Sequence, residues 1–172
     1  MVDIRQSTLR AYQSTLRLSD QPGGIAAAKS FGRQTAFLCH SHLDRRLALS
    51  LQAFLHAQGW RVYIDWQDQT LPSTPDRRTA ETIQDKIRQL DWLLYLATVN
   101  SAASRWCPWE IGYADGIKSR DRIVVIPTRD EAGASYGSEY MELYRRIEED
   151  AGAVSVFEPG RYSGRRIDAL RL

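Results

Sequence analysis

From Gln34 onward, short apolar runs alternate with segments of helical spacing. The runs are Thr35 to Cys39, Arg61 to Ile64, Trp92 to Leu96, Arg122 to Ile126 and Ala153 to Phe157. Each suits a buried strand. Between them, Leu47, Leu51, Phe54, Leu55 and Gln58 recur at helical intervals before Gly59, a helix stop. Ala80, Ile83, Ile87 and Leu90 mark a second helix, and a third runs from about Pro108 to Lys118. Tyr140, Leu143, Tyr144 and Ile147 suggest a fourth, and Pro127 is read as the end of the fourth strand. Five strands alternating with helices imply right-handed crossovers and a parallel sheet covered on both faces. The expected fold is therefore α/β, a flavodoxin-like three-layer sandwich with a five-stranded parallel sheet in the order 2-1-3-4-5. Strands one and three then adjoin at the topological switch point, where ligands sit beyond the carboxyl ends of the strands. Two loops must flank that crevice: His40 to Asp44, and Thr98 to Cys107.

Residues 1–33 follow another pattern. Gln6-Ser7-Thr8-Leu9-Arg10 recurs seven residues later as Gln13-Ser14-Thr15-Leu16-Arg17, which places Val2, Leu9 and Leu16 one heptad apart. This predicts an N-terminal amphipathic helix. Two heptads are too few for a coiled coil, and packing on its own domain is favoured over a self-association arm. Gln21-Pro22-Gly23-Gly24 breaks it. The expected division is an N-terminal helix and linker over 1–33, one domain over 34–157, and a basic tail over 158–172 whose secondary structure is unassigned.

Composition narrows the function classes. With 43% hydrophobic and 26% charged residues, the chain reads as an ordinary globular protein. Lys and Arg total 23 against 21 for Asp and Glu, so no basic stripe argues for nucleic acid. The apolar runs are too short to span a bilayer, and the N-terminus lacks a secretory core. Two cysteines, Cys39 and Cys107, do not suggest a disulfide framework, and a cytoplasmic location is expected. The excess is aromatic, with five Trp and eight Tyr. No G-x-G-x-x-G, G-x-x-x-x-G-K-[ST] or G-x-S-x-G occurs, which disfavours a Rossmann dehydrogenase, a P-loop NTPase and an α/β-hydrolase.

The densest chemistry lies in Ser104-Arg105-Trp106-Cys107-Pro108-Trp109-Glu110. Pro108 fits the first helical position, which puts Glu110 in the first turn, near the positive end of the helix dipole, and predicts that it stays ionised. An ionised carboxylate suits an oxocarbenium-like centre at a glycosidic carbon. The competing and commoner use is to cap the helix start. Trp106 reads either as a stacking wall for a flat ring or as a core anchor. In the first-strand loop, His40, Ser41 and Asp44 suit phosphate or ribose binding at a helix N-terminus, while Ser41 and Asp44 are equally good N-caps. No third ligand at zinc-like spacing accompanies His40 and His42, so no metal site is expected. The loop from Asp65 to Pro75, carrying Trp66, is long enough to be a lid or a contact surface.

These motifs, in this order, resemble those of a TIR (Toll/interleukin-1 receptor) domain over about residues 34–157. Ala36 to Asp44 resembles the family's opening box, and Gly59 to Asp65 its second strand, followed by the BB loop. Trp106-Cys107-Pro108-Trp109-Glu110 resembles the W-x-x-x-E signature of its enzymatic members. The stretch from Trp109 to Gly116 is similar to bacterial stand-alone TIR proteins of the Thoeris anti-phage type.

The resemblance implies an enzyme that takes NAD+ as substrate, with no cofactor, releases nicotinamide, and forms linear or cyclic ADP-ribose. It implies Glu110 as the catalytic residue and His40, Ser41, Asp44, Trp66 and Trp106 as substrate-binding. It further implies self-association through the BB loop, Asp65 to Pro75, and a separate effector that the product activates. No effector or receptor segment accompanies the match within the 172 residues, which favours the signal-making role. A non-catalytic TIR scaffold and a nucleoside deoxyribosyltransferase-like enzyme remain as alternatives.

Overall fold

The computed structural model describes residues 3–14, 29–30, 32–68, 70–72, 74–137, 139–150 and 153–167. The strands are β1 (Ile4–Arg5), β2 (Thr35–Cys39), β3 (Arg61–Tyr63), β4 (Trp92–Ala97), β5 (Ile123–Arg129), β6 (Ser135–Tyr136), β7 (Arg145–Asp150), β8 (Ala153–Phe157) and β9 (Gly164–Arg166). The helices are α1 (Gln6–Arg10), α2 (Arg45–Ala57), α3 (Arg77–Gln89), α4 (Val99–Ala102) and α5 (Cys107–Ile117).

The sheet runs β3-β2-β4-β5-β7-β8-β9, with β1 and β6 pairing the end of β5. From β3 to β7 the strands are parallel, and β8 and β9 are antiparallel additions at one edge. The mixed α/β architecture with a parallel core therefore holds, and β2 does lie beside β4. The fifth parallel strand, however, is β7, and the run expected to supply it, β8, returns antiparallel against β7. The helix expected through Tyr140, Leu143, Tyr144 and Ile147 is instead a 3-10 turn, Glu139–Leu143, followed by β7. Its sequence, Arg-Arg-Ile-Glu-Glu-Asp, offers one apolar side chain. Backbone ladders on both sides, to β5 and β8, make it a strand nonetheless. Pro127 does not end its strand either, since β5 continues to Arg129.

At the N-terminus, α1 spans five residues and a 3-10 turn follows over Ala11–Ser14. Val2, the second heptad through Leu16 and the break at Gln21 to Gly24 lie outside the described residues. Leu9 is buried, and Tyr12 packs edge-on to Phe54 of α2 at 5.0 Å. Of the tail, Gly164 to Arg166 forms β9, and Ile167 is buried in the same apolar cluster as Leu38 and Trp92.

Alternation along the buried strands divides the core in two. Ala36, Leu38, Leu94, Leu96, Val124 and Ile126 face α2. Phe37, Cys39, Leu93, Tyr95, Ile123 and Val125 face the other way, toward Ile83 and Ile87 of α3 and Ile111 of α5. That second face carries the site. α2 ends at Gly59, whose φ of +87° favours glycine, and Trp60 N–H returns to Leu55 O at 3.0 Å. A capping box between Asp76 and Thr79 starts α3.

Close approach at the β8–β9 edge gives a stability prediction. A Cβ added to Gly164 would lie 2.7–2.9 Å from the ring of the fully buried Phe157. Gly164→Ala should cost about 1–3 kcal/mol through overpacking, read as a lower denaturant midpoint with unchanged slope. A wild-type midpoint would mean that the ring has room to turn away.

Candidate functional site

Cys39 ends β2, and the chain turns through His40 and Ser41 into a 3-10 turn, His42–Asp44, that leads into α2. Ser41 is its cap, with Oγ accepting from Leu43 N–H at 3.3 Å. Asp44 makes no capping bond. Its carboxylate reaches across the switch point, where Oδ2 accepts from Thr98 Oγ1 at 2.6 Å and Oδ1 from Asn100 Nδ2 at 2.7 Å. The two loops expected to flank the crevice are thus tied together by one side chain.

His40 is buried between two partners. Trp66 Nε1 donates to its Nε2 at 2.9 Å, which leaves Nδ1 to donate to Leu38 O at 3.1 Å. That pattern needs the neutral tautomer protonated on Nδ1. Burial lowers its pKa to match, against the opposing pull of Asp65. His42 behaves oppositely, because its hydrogen bond to Asp65 Oδ2 at 3.1 Å raises its pKa. Burial pushes Asp65 up, but His42 and the Trp66 N–H outweigh it and hold Asp65 low. Arg45 stands over the Trp66 ring at 5.2 Å. His40, Ser41, Asp44 and Trp66 therefore form one contiguous region, and His42 and Asp65 belong with them.

A histidine titration checks this arrangement. Of the three histidines in the chain, His42 should titrate above its ordinary value and His40 below it, as read by NMR. Asp65→Asn should bring His42 back down. Because the folded-state pKa of His42 is raised, its contribution to stability is present below the ordinary value of about 6.5 and is lost as pH rises through the folded value. The His42 side chain is 55% exposed, so that contribution is small. His42 unmoved by Asp65→Asn would dismiss the pair.

Glu110 lies beyond this region, in the first turn of α5. It is 4% exposed, and among the described residues no Lys, Arg or His forms an ion pair with it. Cys39 and Cys107 flank it, and one ligand atom of each of the three residues lies within 4.8 Å of the others. The Cys39 thiol points at Cys107 O, 3.6 Å away. Burial raises the pKa of Glu110 well above the ordinary range, and Cys107 adds to the rise. Burial therefore works against the expectation that the helix dipole keeps Glu110 ionised, while a hydrogen bond from Cys39 opposes the rise. A dipole contributes up to about 2 kcal/mol, and desolvating a carboxylate costs several.

The capping role also falls away. Trp106 N–H, which a capping glutamate would take, donates to Ser104 Oγ at 3.1 Å. Trp106 is the N-cap itself, and its carbonyl accepts Glu110 N–H at 2.9 Å. Half-buried, Trp106 meets Trp109 edge-on at 5.5 Å, and Trp109 stacks on Tyr113 at 6.1 Å. Arg88 of α3 covers Tyr113 at 5.7 Å. Trp109 is therefore the middle of an aromatic row along α5 that packs on the second core face, and Trp106 begins that row.

Sequence reasoning passed over Cys39, Cys107, Thr98 and Asn100. The spacing from Cys107 to Glu110 puts both on one face of a helix, and β2 adjoins β4, so the signal existed. A cavity of about 310 Å3 lies elsewhere, lined by Asp3, Pro127, Tyr136, Gly137, Glu142 and Arg146 among others, and Glu110 does not reach it. Among the described residues no helix is long and apolar enough to cross a membrane.

The TIR domain family matches residues 36–155 of the chain. Over 110 residues the chain is 36% identical to a protein of Bacillus cereus (strain MSX-D12) called probable 3′ cyclic ADP-D-ribose synthase ThsB′. The alignment covers 63% of this chain and 57% of that relative, so it spans little over half the relative's length.

Proposed function

The chain belongs to the TIR domain family, and from that premise we propose that it cleaves NAD+ at Glu110 and makes a cyclic ADP-ribose signal in the cytoplasm. The observation that carries the reading is an acid buried beside the carboxyl end of β2, with no capping role and, among the described residues, no ion pair. A scaffold has no use for such a group, which costs stability whenever it ionises.

The chemistry follows from the surroundings of Glu110. The nicotinamide ring of NAD+ carries a positive charge, and a cation beside a buried carboxyl favours its ionised form. Nicotinamide departs with the bonding pair, and the cationic charge passes to C1′ of the ribose. The Glu110 carboxylate stabilises that oxocarbenium centre in a dry, low-dielectric setting. A nucleophile of the same ADP-ribosyl unit then closes on C1′ and gives up its proton, which leaves nicotinamide, a cyclic product and one proton. Capture by water instead gives linear ADP-ribose. Exclusion of water from Glu110 favours ring closure over hydrolysis.

Trp106 supplies an aromatic face at the start of α5, and His40, Ser41, Asp44 and Trp66 shape the loops on the ribose side. Substrate access requires the loop Asp65 to Pro75 to shift, and that loop is where a second copy docks. The product acts on a separate effector in anti-phage defence. A relative named for 3′ cyclic ADP-D-ribose synthesis supports this choice of product class.

Mass spectrometry of an NAD+ incubation tests the reading. Nicotinamide should appear with a product of the mass of NAD+ less nicotinamide, whereas linear ADP-ribose is heavier by one water. No nicotinamide from concentrated, crowded protein or in phage-infected lysate would leave the scaffold role.

A further inference from the structure

Cys39, Cys107 and Glu110 offer more than a setting for a carboxyl. One sulfur or oxygen from each lies within 4.8 Å of the other two, and all three residues are buried. They come from different places in the chain: the last residue of β2, the first of α5, and a residue one turn further along α5. Helix and strand hold them there, so the cluster is preformed rather than gathered from loops. Among the described residues, no Lys or Arg forms an ion pair with Glu110.

Two thiols and a carboxyl are a donor set for zinc-class ions. Zinc binds Cys sulfur at about 2.3 Å and carboxylate oxygen at about 2.0–2.2 Å, usually in a tetrahedron. That geometry needs ligand atoms about 3.4–3.8 Å apart, so atoms up to 4.8 Å apart must close by up to about 1.0–1.4 Å. Three protein ligands leave a fourth position for water, as in an open zinc site. Softer thiolate donors disfavour magnesium and calcium, which take oxygen ligands.

We propose that Cys39, Cys107 and Glu110 form a site for one thiophilic divalent cation of the zinc class, and that its occupancy shuts down the enzyme by capturing the Glu110 carboxylate. The binding half stands on the cluster alone, and the inhibitory half rests on Glu110 being the NAD+-cleaving residue. Binding displaces the thiol and carboxyl protons to solvent, and no redox change occurs. Because the chain has only two cysteines, any metal–thiolate signal reports this site.

The test uses reduced, chelator-stripped protein titrated separately with Zn2+ and Cd2+. Wild type should take up one ion per chain, with a thiolate-to-cadmium charge-transfer band. Cys107→Ser should weaken uptake by at least about 100-fold, above the 10–100-fold cost of losing an outer partner. Should Cys107→Ser fail to fold, Glu110→Gln serves, and it should keep the cadmium band while binding more weakly. Zn2+ should stop nicotinamide release in wild type, and a chelator should restore it. No uptake, no thiolate band, or undiminished affinity in both variants overturns the site. Undiminished nicotinamide release at saturating Zn2+ overturns the inhibitory half. Protein that never releases nicotinamide yet binds Zn2+ would sink the proposed activity and leave the site standing.

Discussion

Glu110→Gln is expected to abolish nicotinamide release and, at neutral pH, to make the fold more stable. The first effect follows from losing the charge that steadies the departing ribosyl cation. Removing one such electrostatic partner costs roughly 10²–10³-fold in rate. The second follows from linkage. Burial raises the folded-state pKa of Glu110 above its ordinary value of 4.5. The contribution of such a group to stability is therefore fully present below about 4.5 and is lost as pH rises toward the folded value. Glutamine keeps the shape and avoids that loss. The stability difference, Glu110→Gln minus wild type, should be near zero at the acid end and grow with pH until Glu110 ionises in the fold. For a chain of this size each 1 kcal/mol shows as roughly 2–4 °C in Tm. Thermal melts in a pH series read the difference directly. A variant less stable than wild type at neutral pH would mean that Glu110 is satisfied by a partner and held for structure.

Asp44→Ala is expected to open the crevice. Its two oxygens accept from Thr98 and Asn100, and Thr98 is buried. Truncation leaves Asn100 Nδ2 short of an acceptor and Thr98 Oγ1 with only its longer contact to Ser101 Oγ at 3.4 Å, and unties the β2 loop from the β4 loop. Hydrogen bonds to a carboxylate contribute about 1.5–3 kcal/mol each, and a loss of about 2–4 kcal/mol is expected. Asp44→Asn, which can still accept at one oxygen, should recover part of it. The functional signature is a raised KM for NAD+ with a smaller change in kcat, since Asp44 positions the walls of the crevice rather than the reacting carbon. A wild-type melting temperature in Asp44→Ala would show that other contacts already hold the loops.

Much of the frame was legible because parallel strands buried on both faces leave continuous apolar runs. Thr35 to Cys39 and Trp92 to Leu96 announced themselves in that way, and their adjacency followed from the alternation with helices. β7 was hidden for the opposite reason. Its charged side chains carry no apolar pattern, and only pairing with β5 and β8 makes it a strand. Glu110 was legible as a residue through its spacing from Trp106, yet the upward pull of burial on its pKa was not. Position in a helix is local and can be read from sequence, whereas burial depends on which sheet face the helix covers. Asp44 was weighed as a ligand contact or an N-cap, and it is a cross-loop tie, because its partners stand 54 and 56 residues away. Cys39 and Cys107, 68 residues apart, meet only once β2, β4 and α5 are assembled.

The central claim is that a buried Glu110, its pKa raised by desolvation, cleaves NAD+. Its most direct test is the pH dependence of kcat/KM for nicotinamide release, with Glu110→Gln measured alongside. Catalysis needs the ionised form, so wild-type activity should fall as pH drops, along a limb set well above the ordinary carboxylate value, while Glu110→Gln stays at background throughout. Glu110→Gln releasing nicotinamide at the wild-type rate, or a wild-type limb at about 4.5, would contradict the account.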